Sequence, residues 1–523
     1  MTNEQQERLW EDSGVEMSDE KAERLPANEE RMGKPRVKPI DRQQMIMRTI
    51  DVEGLVEEEH AVRAVWEFVG QLDLSAYYER IQVREDGAGR PATDPRLLVS
   101  LWVYAYSKGI NSAREVERLC EHDPAFQWLT GMQEICHHTL STFRSENKEA
   151  LHELFVQVLG VLSNEELITL EQVMQDGTKV QAYAGKDTFR REERLREHLE
   201  AAQRQVEKME ELDEAEVGPR IAKARQRAAR EKCERLELAM QELEKLRAEK
   251  AESDKDKVRV SETDPQSRVM KQSDGGFAPS YNVQLSTDEA AGIIVAVDVV
   301  QAGVDAHQLV PAAEHIEAET GQLPKQFVAD AGYTNRSNIV EMERQGIDFI
   351  GDLGTGITKT PNSLTTSGVA KEFYPQAFVR NEGDDTYTCP AGKTLQLVRI
   401  SKRVGFAEHQ YSTATGECLA CPFKQQCCPR NAKGRLLTRL VDDPAVAAFK
   451  EKMETQAAKD AYKRRSPVAE FPFACIKARF QLRQFRLRGL TKVTMEATWA
   501  CLTYNITQWI RLCWRPRRCP AVT

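Results

Sequence analysis

Hydrophobic spacing divides the chain into a helical first part and a later part that contains strands. From Val52 to Leu159 apolar residues recur at three- and four-residue steps, which predicts amphipathic helices such as 61–69. Asp94-Pro95 offers an N-cap and a proline at the first helical position, so a helix is expected over 96–106. Shorter helices are expected at 112–120, at 123–129 and from His138, the last capped by Ser or Thr. Short helices joined by tight turns are typical of a helix-turn-helix-like DNA-binding module, although a bundle that only packs fits the pattern too.

After Glu165 the pattern changes toward strands. Strands are expected at 167–174, 281–285, 292–300, 326–330 and 347–350, and the second and third form a β-hairpin. Helices are expected at 305–314 and 335–345. This order predicts a mixed sheet flanked by helices, in an α/β fold.

Residues 189–252 interrupt that pattern. They are dense in Glu, Arg, Lys, Ala and Leu, and Gly218-Pro219 is the one strong breaker, which predicts a helical hairpin. Its second arm carries Leu236, Met240, Leu243 and Leu246 at helical steps. An inserted strut with a solvated surface is the simpler interpretation, and an arm that binds a partner or DNA is the alternative.

Charge is distributed unevenly along the chain. The net charge of 523 residues is −9, and residues 1–30 hold about 10 acids against 3 bases, which is typical of a disordered arm. Residues 430–523 hold about 20 Lys and Arg against 7 acids, an electrostatic footprint suited to nucleic acid. No apolar run approaches the ~20 residues needed to span a bilayer. No apolar core follows the acidic N-terminus, so we expect a cytoplasmic protein without a membrane partner.

Three acids stand out by their surroundings. Asp176 ends the apolar run 167–176, Asp330 ends the run 326–330, and Glu470 lies in a basic, helix-like stretch. Carboxylate oxygens are the ligands that Mg²⁺ prefers, and two such ions can stabilise both the attacking and the leaving oxygen of an in-line displacement. Two strand-end aspartates and a helical glutamate therefore predict a site for two divalent metals.

The motifs around these acids resemble one family. Gln175-Asp176-Gly177-Thr178-Lys179, Tyr281-Asn282-Val283-Gln284, Ala329-Asp330-Ala331-Gly332-Tyr333 and Tyr462-x₂-Arg465-x₄-Glu470-x₆-Lys477 are similar to motifs of bacterial insertion-sequence transposases of the DDE class. Gly89-Arg90-Pro91 and His138-Thr-Leu-Ser141-x-Phe143-Arg144 resemble the DNA-binding domain of the same transposases. The resemblance covers residues 40–510 and implies a ribonuclease-H-like catalytic domain.

The resemblance also implies roles for individual residues. Asp176, Asp330 and Glu470 would be the metal-binding catalytic triad, with two Mg²⁺ ions that Mn²⁺ can replace. Tyr462, Arg465 and Lys477 would grip the transposon-end DNA. The related signature usually has three residues between Arg and Glu, whereas Arg465 has four, and Arg464 would fit worse. The implied partners are double-stranded DNA, as terminal inverted repeats and as target, and further copies of the chain, at least a dimer in the DNA complex.

The stretch around Glu470 is expected to form one helix. Lys477 lies seven residues after Glu470, about two turns, so both are expected on one face. Pro467 suits the first turn of that helix, whereas Pro472 would bend or restart it. Arg479, Arg483, Arg486 and Arg488 extend a basic surface for phosphate contacts. The interleaved Phe480 and Phe485 are expected to pack in the core rather than to stack on bases.

Five of the twelve cysteines fall between positions 389 and 428. Cys418-Leu-Ala-Cys421 is the C-x₂-C knuckle of tetrahedral zinc sites, with Cys389 and either Cys427 or Cys428 as further ligands. Structural zinc and reduced thiols both remain open, and His409 is a candidate substitute ligand. Catalytic use of these thiols is not expected.

Together these patterns predict an arm at 1–50, a helical DNA-binding domain at 51–160, a catalytic domain at 165–510 and a basic tail at 511–523. The hairpin at 189–252 and a cysteine-rich insertion at 385–430 interrupt the catalytic domain. The predicted function is a DNA transposase that cleaves and transfers strands. The alternatives are an inactive, transposase-derived DNA-binding protein or repressor, and an assembly protein that works mainly through its hairpin.

Overall fold

The computed structural model describes residues 42, 43, 45, 47, 49–83, 91–210, 218–352, 367–430 and 434–515. The chain divides into two compact units, residues 1–50 and residues 51–523. Nearly all of the predicted N-terminal arm and most of the predicted basic tail lie outside the described residues, as do Gly89 and Arg90. All helices and strands named below belong to the second unit.

Helices make up the regular structure between residues 56 and 164. The helix that begins at Pro95 starts as its sequence predicts, since the Asp94 side chain accepts the backbone N–H of Arg96 at 2.8 Å. The helix that begins at His137 is different: its N-cap is Cys136, which makes no side-chain cap bond, so the expected Ser/Thr cap is wrong. A neighbouring helix supplies the acceptor instead, because the His137 N–H bonds to the Glu117 carboxylate at 3.0 Å. The helices are α1 Ala61–Val69, α2 Ser75–Tyr78, α3 Pro95–Ser107, α4 Ala113–His122, α5 Pro124–Thr130, α6 His137–Glu146 and α7 Lys148–Asn164.

A six-stranded mixed sheet follows, in the order β4-β5-β1-β7-β8, with β6 also paired to β5. β1 runs antiparallel to β5 and parallel to β7, and β7 runs parallel to β8. The fold is therefore mixed α/β, as the sequence predicts. The strands are β1 Gln172–Gln181, β4 Arg268–Lys271, β5 Phe277–Asp288, β6 Ile294–Val300, β7 Gln326–Ala329 and β8 Asp348–Gly351, and helices α10 Leu309–Thr320 and α11 Arg336–Arg344 connect the later strands.

The first strand departs from its predicted position. It was expected at 167–174, but β1 spans Gln172–Gln181, so its polar second half is also strand. The long strand β5 explains this, since it pairs with β1 as far as Gln181. The preceding residues turn instead, with positive φ at Glu166 and Leu170. Asp176 consequently lies inside a strand rather than at its end.

The last helix closes the main core. α15, Leu490–Leu512, is buried along most of its length and shares one hydrophobic cluster with α1, α3, α7, β5 and β6. Asn505 fixes it to the sheet, because its side chain accepts the Ile294 N–H at 2.9 Å and donates to the Ile294 carbonyl at 2.8 Å. The N-terminal helices and the sheet therefore share a core.

The predicted helical hairpin is present. α8, Glu192–Glu210, and α9, Pro219–Ala248, run antiparallel, as ion pairs from Arg230 to Glu210 and from Arg247 to Glu192 show. Leu236 and Leu243 are buried in the seam between the helices, and Met240 and Leu246 pack against it. Short strands β2 Phe189–Arg190 and β3 Val260–Ser261 pair at the base.

The cysteine-bearing region has a regular structure that its sequence did not indicate. It forms a second, five-stranded antiparallel sheet in the order β13-β12-β11-β10-β9. Phe378, Leu395, Tyr411 and Leu437 form its small core. Its elements are β9 Val379–Asn381, β10 Thr386–Thr388, β11 Thr394–Arg403, β12 Phe406–Ser412, α12 Lys424–Cys427 and β13 Leu436–Asp442.

Two helices then return to the central sheet: α13, Pro444–Glu454, and α14, Gln456–Ala474. A π-helical turn, Cys475–Arg479, continues α14. Among the residues that the structure describes, no helix is both long and apolar enough to cross a bilayer.

Candidate active site

Asp176 on β1 lies beside Asp330, the residue that follows β7. The register of these parallel strands pairs Gln175 with Ala329, so the next residue along each strand direction is one of the two aspartates. The Asp176 carboxylate accepts its neighbour Gly177 N–H at 2.8 Å, and the Asp330 carboxylate accepts the Gly332 N–H at 2.7 Å. Local backbone bonds thus orient both carboxylates at the point where β7 ends beside the middle of β1.

Glu470 comes from the helix that covers this part of the sheet. Ala458, Ala461 and Ala469 of α14 pack on Met174, Val328 and Ile350 of β1, β7 and β8, and small side chains allow a close approach. Glu470 follows the buried Ala469 and is exposed. Its carboxylate accepts a hydrogen bond from the Ser466 hydroxyl at 2.8 Å.

The electrostatics of Asp176 show that the three acids act on one another. Burial raises the pKa of Asp176 to about 6 against the opposing effects of the Gly177 N–H and Arg465, and the charges of Asp330 and Glu470 raise it further. Among the described residues, one group of three side chains brings potential metal-ligand atoms within 4.8 Å of one another, and it does not include these acids. The three carboxylates therefore interact electrostatically, but their oxygens do not converge on one metal position.

Arg465, not Arg464, faces the aspartates. Its Nη1 lies 3.8 Å from Asp176 Oδ2, and its guanidinium carbon lies 5.9 Å from the Tyr462 ring centre. Nη1 is buried and has no hydrogen-bond partner among the described residues. Arg464 instead pairs with Glu289 at 2.7 Å. The unusual spacing before Glu470 thus still delivers Arg465 to the site.

Lys477 reaches the same strand, β1. Its ammonium donates to the Thr178 hydroxyl, two residues after Asp176. Burial lowers the pKa of Lys477, and the neighbouring cations Arg483 and Lys179 lower it further, while Asp176 opposes them. A partly buried cation beside an acidic site is suited to bind a phosphate oxygen.

The helix predicted for this stretch needs correction. α14 begins at Gln456, so Pro467 is not in its first turn, and the helix continues through Pro472 to Ala474. It neither restarts nor stops at Pro472; it widens into the π-helical turn, in which the Phe480 N–H bonds to the Cys475 carbonyl at 3.1 Å. Lys477 lies in that turn. Glu470 and Lys477 both interact electrostatically with Asp176, and their placement on one helix face stays a prediction.

The basic segment after this turn is fixed to the end of β1. The Gln181 N–H donates to the Arg483 carbonyl at 3.2 Å, and the Phe485 N–H donates to the Gln181 carbonyl at 2.9 Å. Phe480 and Phe485 are fully buried, so the expectation of core packing is confirmed. The cations of this segment are Arg479, Arg483, Arg486 and Arg488, and all four are exposed.

A polar network beneath the acids was missed by sequence reasoning. Asp305 Oδ1 accepts Asn282 Nδ2 at 2.7 Å and Gln284 Nε2 at 2.8 Å, while Oδ2 pairs with Lys179 at 3.1 Å. Gln284 Oε1 accepts Gln175 Nε2 at 2.9 Å and the Tyr333 hydroxyl. The family-like motifs around the aspartates and on β5 supply every member except Asp305, which lies in a loop and carries no local signal.

This network leaves no room for a side chain at Gly177. A Cβ there would lie 2.3 Å from Gln284 Nε2 and 2.9 Å from both Asp305 Oδ1 and the Tyr333 hydroxyl oxygen. The glycine after Asp176 is thus required by close approach rather than by backbone angle.

The cysteines of the second sheet surround one small cavity of about 20 Å³, lined by Cys389, Cys418, Cys421, Cys427 and Cys428. The Lys393 N–H donates to Cys389 Sγ at 3.3 Å. Burial raises the pKa of the Cys427 thiol to about 12, and neighbouring Cys428 contributes. Within the described ranges, no three of these sulfurs lie within 4.8 Å of one another. His409 lies on β12, opposite Arg439 and Ile400 on the neighbouring strands, and does not line this cavity.

Among the described residues, Glu117, Cys136 and His137 do bring three potential metal-ligand atoms within 4.8 Å of one another. Glu117 lies on α4, and Cys136 and His137 lie at the start of α6. The His137 ring Nδ1 lies 2.7 Å from the Glu117 carboxylate. This side-chain contact, with the backbone bond of His137, accounts for the arrangement as a helix cap.

Two family models match the chain. Residues 388–510 match a transposase DDE domain, and residues 50–146 match a transposase domain (DUF772). None of the curated proteins compared with the chain matches it. The first match contains Tyr462, Glu470, Lys477 and strands β11 to β13 of the cysteine-bearing sheet, whereas Asp176 and Asp330 precede it. The two matches confirm the resemblance drawn from the motifs.

Proposed function

We propose that this chain binds the terminal inverted repeats of its element and cleaves and transfers DNA strands there. The premise is that its two family matches make it a transposase of the insertion-sequence DDE class. In cleavage, water attacks the scissile phosphorus and the P–O3′ bond breaks, which leaves a 3′-hydroxyl on the element. In transfer, that hydroxyl attacks a target phosphodiester, and the target's own 3′-oxygen leaves.

The strand topology supports a ribonuclease-H-like catalytic fold. Three antiparallel strands, β6, β5 and β1, lead into two parallel strands, β7 and β8, in the spatial order β6-β5-β1-β7-β8. The first acid lies on the central strand β1, the second follows its parallel neighbour, and the third comes from a helix packed across both. We take the N-terminal helices, which include the second matched region, as the DNA-binding part.

Asp176, Asp330 and Glu470 would hold the divalent ions. The donor set fits, because it consists of carboxylate oxygens only, and because the mutual repulsion that helps to raise the pKa of Asp176 is what a bound cation would reverse. Two Mg²⁺ ions would supply charge stabilisation of the attacking and leaving oxygens.

The remaining residues act on the DNA itself. Lys477, held beside Thr178, is placed to bind a phosphate oxygen next to the acids. Arg465 has a buried Nη1 without a hydrogen-bond partner among the described residues, so it can take up a phosphate oxygen without losing a bond. The Tyr462 ring lies beside Arg465 and would contact the same stretch of DNA. Arg479 and Arg483 extend the contact along the strand.

The observation that carries this proposal is that Asp176 interacts electrostatically with Asp330, Glu470, Arg465 and Lys477. The experiment is strand cleavage of a labelled element end in Mg²⁺. Asp176→Asn and Glu470→Gln should each lose at least about 100-fold in rate, as expected when a preorganised charge is removed, while DNA binding persists. Glu451→Gln, an exposed glutamate on α13, is the control and should cleave normally.

Full cleavage by Asp176→Asn or Glu470→Gln would refute the triad. A wild-type protein that binds the ends but never cleaves them would instead support the inactive, transposase-derived DNA-binding protein. As a bacterial DNA-processing protein it would act in the cytoplasm, at the nucleoid, and two ends per element imply at least a dimer in the complex.

Structural zinc at Cys389, Cys418, Cys421 and Cys427 is a further part of the proposal. The support is that these thiols line one cavity within a sheet whose apolar core is small. Small cores commonly need such a staple. Zinc measured at one ion per chain in the purified protein, and lost in Cys418→Ser, would support it; metal-free protein of full stability would leave reduced thiols as the answer.

A further inference from the structure

The outer half of the hairpin helix α9 carries positive charge without acids. Between positions 219 and 230 it contains five cations, Arg220, Lys223, Arg225, Arg227 and Arg230, and no Asp or Glu. All five are exposed. Of the described residues, only Glu210 forms an ion pair with one of them, Arg230, at 2.8 Å.

Four of these cations form a stripe. At about 100° per residue, Arg220, Lys223, Arg227 and Arg230 fall within about 80° of the helix circumference. Their spacing along the axis extends about 15 Å. The fifth, Arg225, lies on the other flank of the helix, together with Lys232. The packing seam, marked by the buried Ala222 and Ala229, runs between the two flanks.

The needs of a strut do not account for this stripe. Leucines hold the inner part of the hairpin together, with Leu195, Leu236 and Leu243 almost fully buried. The outer part packs through alanines and places its long cations in water. A helix that served only as a spacer gains nothing from four like charges on one flank, because neighbours of like charge at three- and four-residue steps destabilise an isolated helix.

The hairpin also reaches the basic segment beside the candidate active site. Arg235 of α9 is half-buried and donates to the Glu262 carbonyl at 3.0 Å. Burial lowers the pKa of Arg235, and Arg488 nearby lowers it further. Arg488 itself lies over the Tyr183 ring, just beyond the end of β1. The middle of α9 is therefore close enough to the basic segment for the charges of Arg235 and Arg488 to interact.

We propose that the stripe Arg220, Lys223, Arg227 and Arg230 is a second contact site for the phosphate backbone of double-stranded DNA, so that the hairpin is a DNA-binding arm. This rests on the proposed function, because the DNA is the element end already held at the acids. Such contacts give affinity without sequence reading, and they weaken as salt rises because the release of counterions from DNA then gains less free energy.

The test compares two double variants of the full chain. Lys223→Gln/Arg227→Gln removes two cations of the stripe, and Arg225→Gln/Lys232→Gln removes two from the other flank; glutamine keeps helix propensity in both. Binding to a labelled element end is measured from about 50 to 200 mM salt. The logarithm of the association constant falls linearly with the logarithm of the salt concentration. Losing two phosphate contacts should make this slope shallower by about 1.8 and weaken binding on the order of 50-fold at about 0.1 M salt.

The control double variant should bind like the wild type. Equal losses in both variants would mean that only total charge matters and would overturn the stripe. Unchanged binding in the stripe variant would also overturn it; the four acids of the connection, residues 211–217, would then be sufficient to cancel the charge. A wild type that binds no element end would refute the proposed function itself, which is a separate outcome.

Discussion

Replacing Gly177 with alanine tests whether the network beneath the acids is as tightly packed as the structure indicates. In most strand positions the change from glycine to alanine is slightly stabilising, by about 0.5–1 kcal/mol. At Gly177 the new Cβ would lie 2.3 Å from Gln284 Nε2, well inside contact distance. The backbone φ there is not positive, so any cost comes from space.

The size of the effect follows from what must move. Gln284 and Tyr333 are both almost fully buried, and Gln284 is held between Asp305 and Gln175 by bonds of 2.8 and 2.9 Å. Displacing it costs about 1–3 kcal/mol for overpacking. A buried polar group left without its partner costs about 1–3 kcal/mol more. Removing the glycine would by itself stabilise the strand slightly, so we expect a net loss of about 1–5 kcal/mol in the free energy of unfolding.

The assay is urea unfolding followed by tryptophan fluorescence, with Gly160→Ala as the matched control. Gly160 lies in helix α7, a Cβ added there would meet no atom within 4 Å, and its φ is not positive. Its replacement should stabilise the protein by about 0.5–1 kcal/mol. A Gly177→Ala protein as stable as the wild type would refute the reasoning, since the network would then yield without cost.

Three further predictions concern stability and metal. Burial alone would lower the pKa of His315, but its hydrogen bonds to Asp298 and Glu319 raise it to about 10. Because the folded pKa is raised, the protonated histidine stabilises the fold fully below about pH 6.5, and this stabilisation is lost toward about pH 10. The difference in the free energy of unfolding between wild type and His315→Gln should therefore be larger at about pH 6 than at about pH 9, and a constant difference would contradict this. Phe485→Ala should cost about 3–5 kcal/mol in urea unfolding because the ring is fully buried, whereas a stable variant with weakened DNA binding would mean that the ring stacks on bases. Chelation of divalent ions should stop strand cleavage, and Mg²⁺ should restore it, while a gel-shift assay shows DNA still bound; cleavage that continues in chelator would exclude the metal mechanism.

Local chemistry determined much of this protein from the sequence alone. The helix Ala61–Val69 has the predicted bounds, and Asp94 with Pro95 starts the next long helix, because caps and periodicity depend on residues within a few positions. The hairpin of α8 and α9 follows from the same periodicity. The expected strands around 281–300 and 326–330 are present for a similar reason, since apolar runs between turn residues carry their own signal.

Other features depend on partners that are distant along the chain. β1 extends to Gln181 because β5, about a hundred residues later, offers a backbone ladder to its polar half. The choice of Arg465 over Arg464 was fixed by which way α14 turns against the sheet. The second sheet was missed because its strands are mostly half-exposed or exposed, so they lack an alternating apolar pattern.

The three acids show where the division lies. The amino-acid sequence shows which carboxylates stand at apolar runs and beside basic residues, and the motifs around them were sufficient to indicate the family. The folded chain is needed to see that Asp176 is inside a strand, that Asp330 lies next to it, and that Asp305 anchors the network below. The physical reason is that helix caps and periodicity act over a few residues, whereas the field at Asp176 is the sum of charges brought together from β1, β7 and α14.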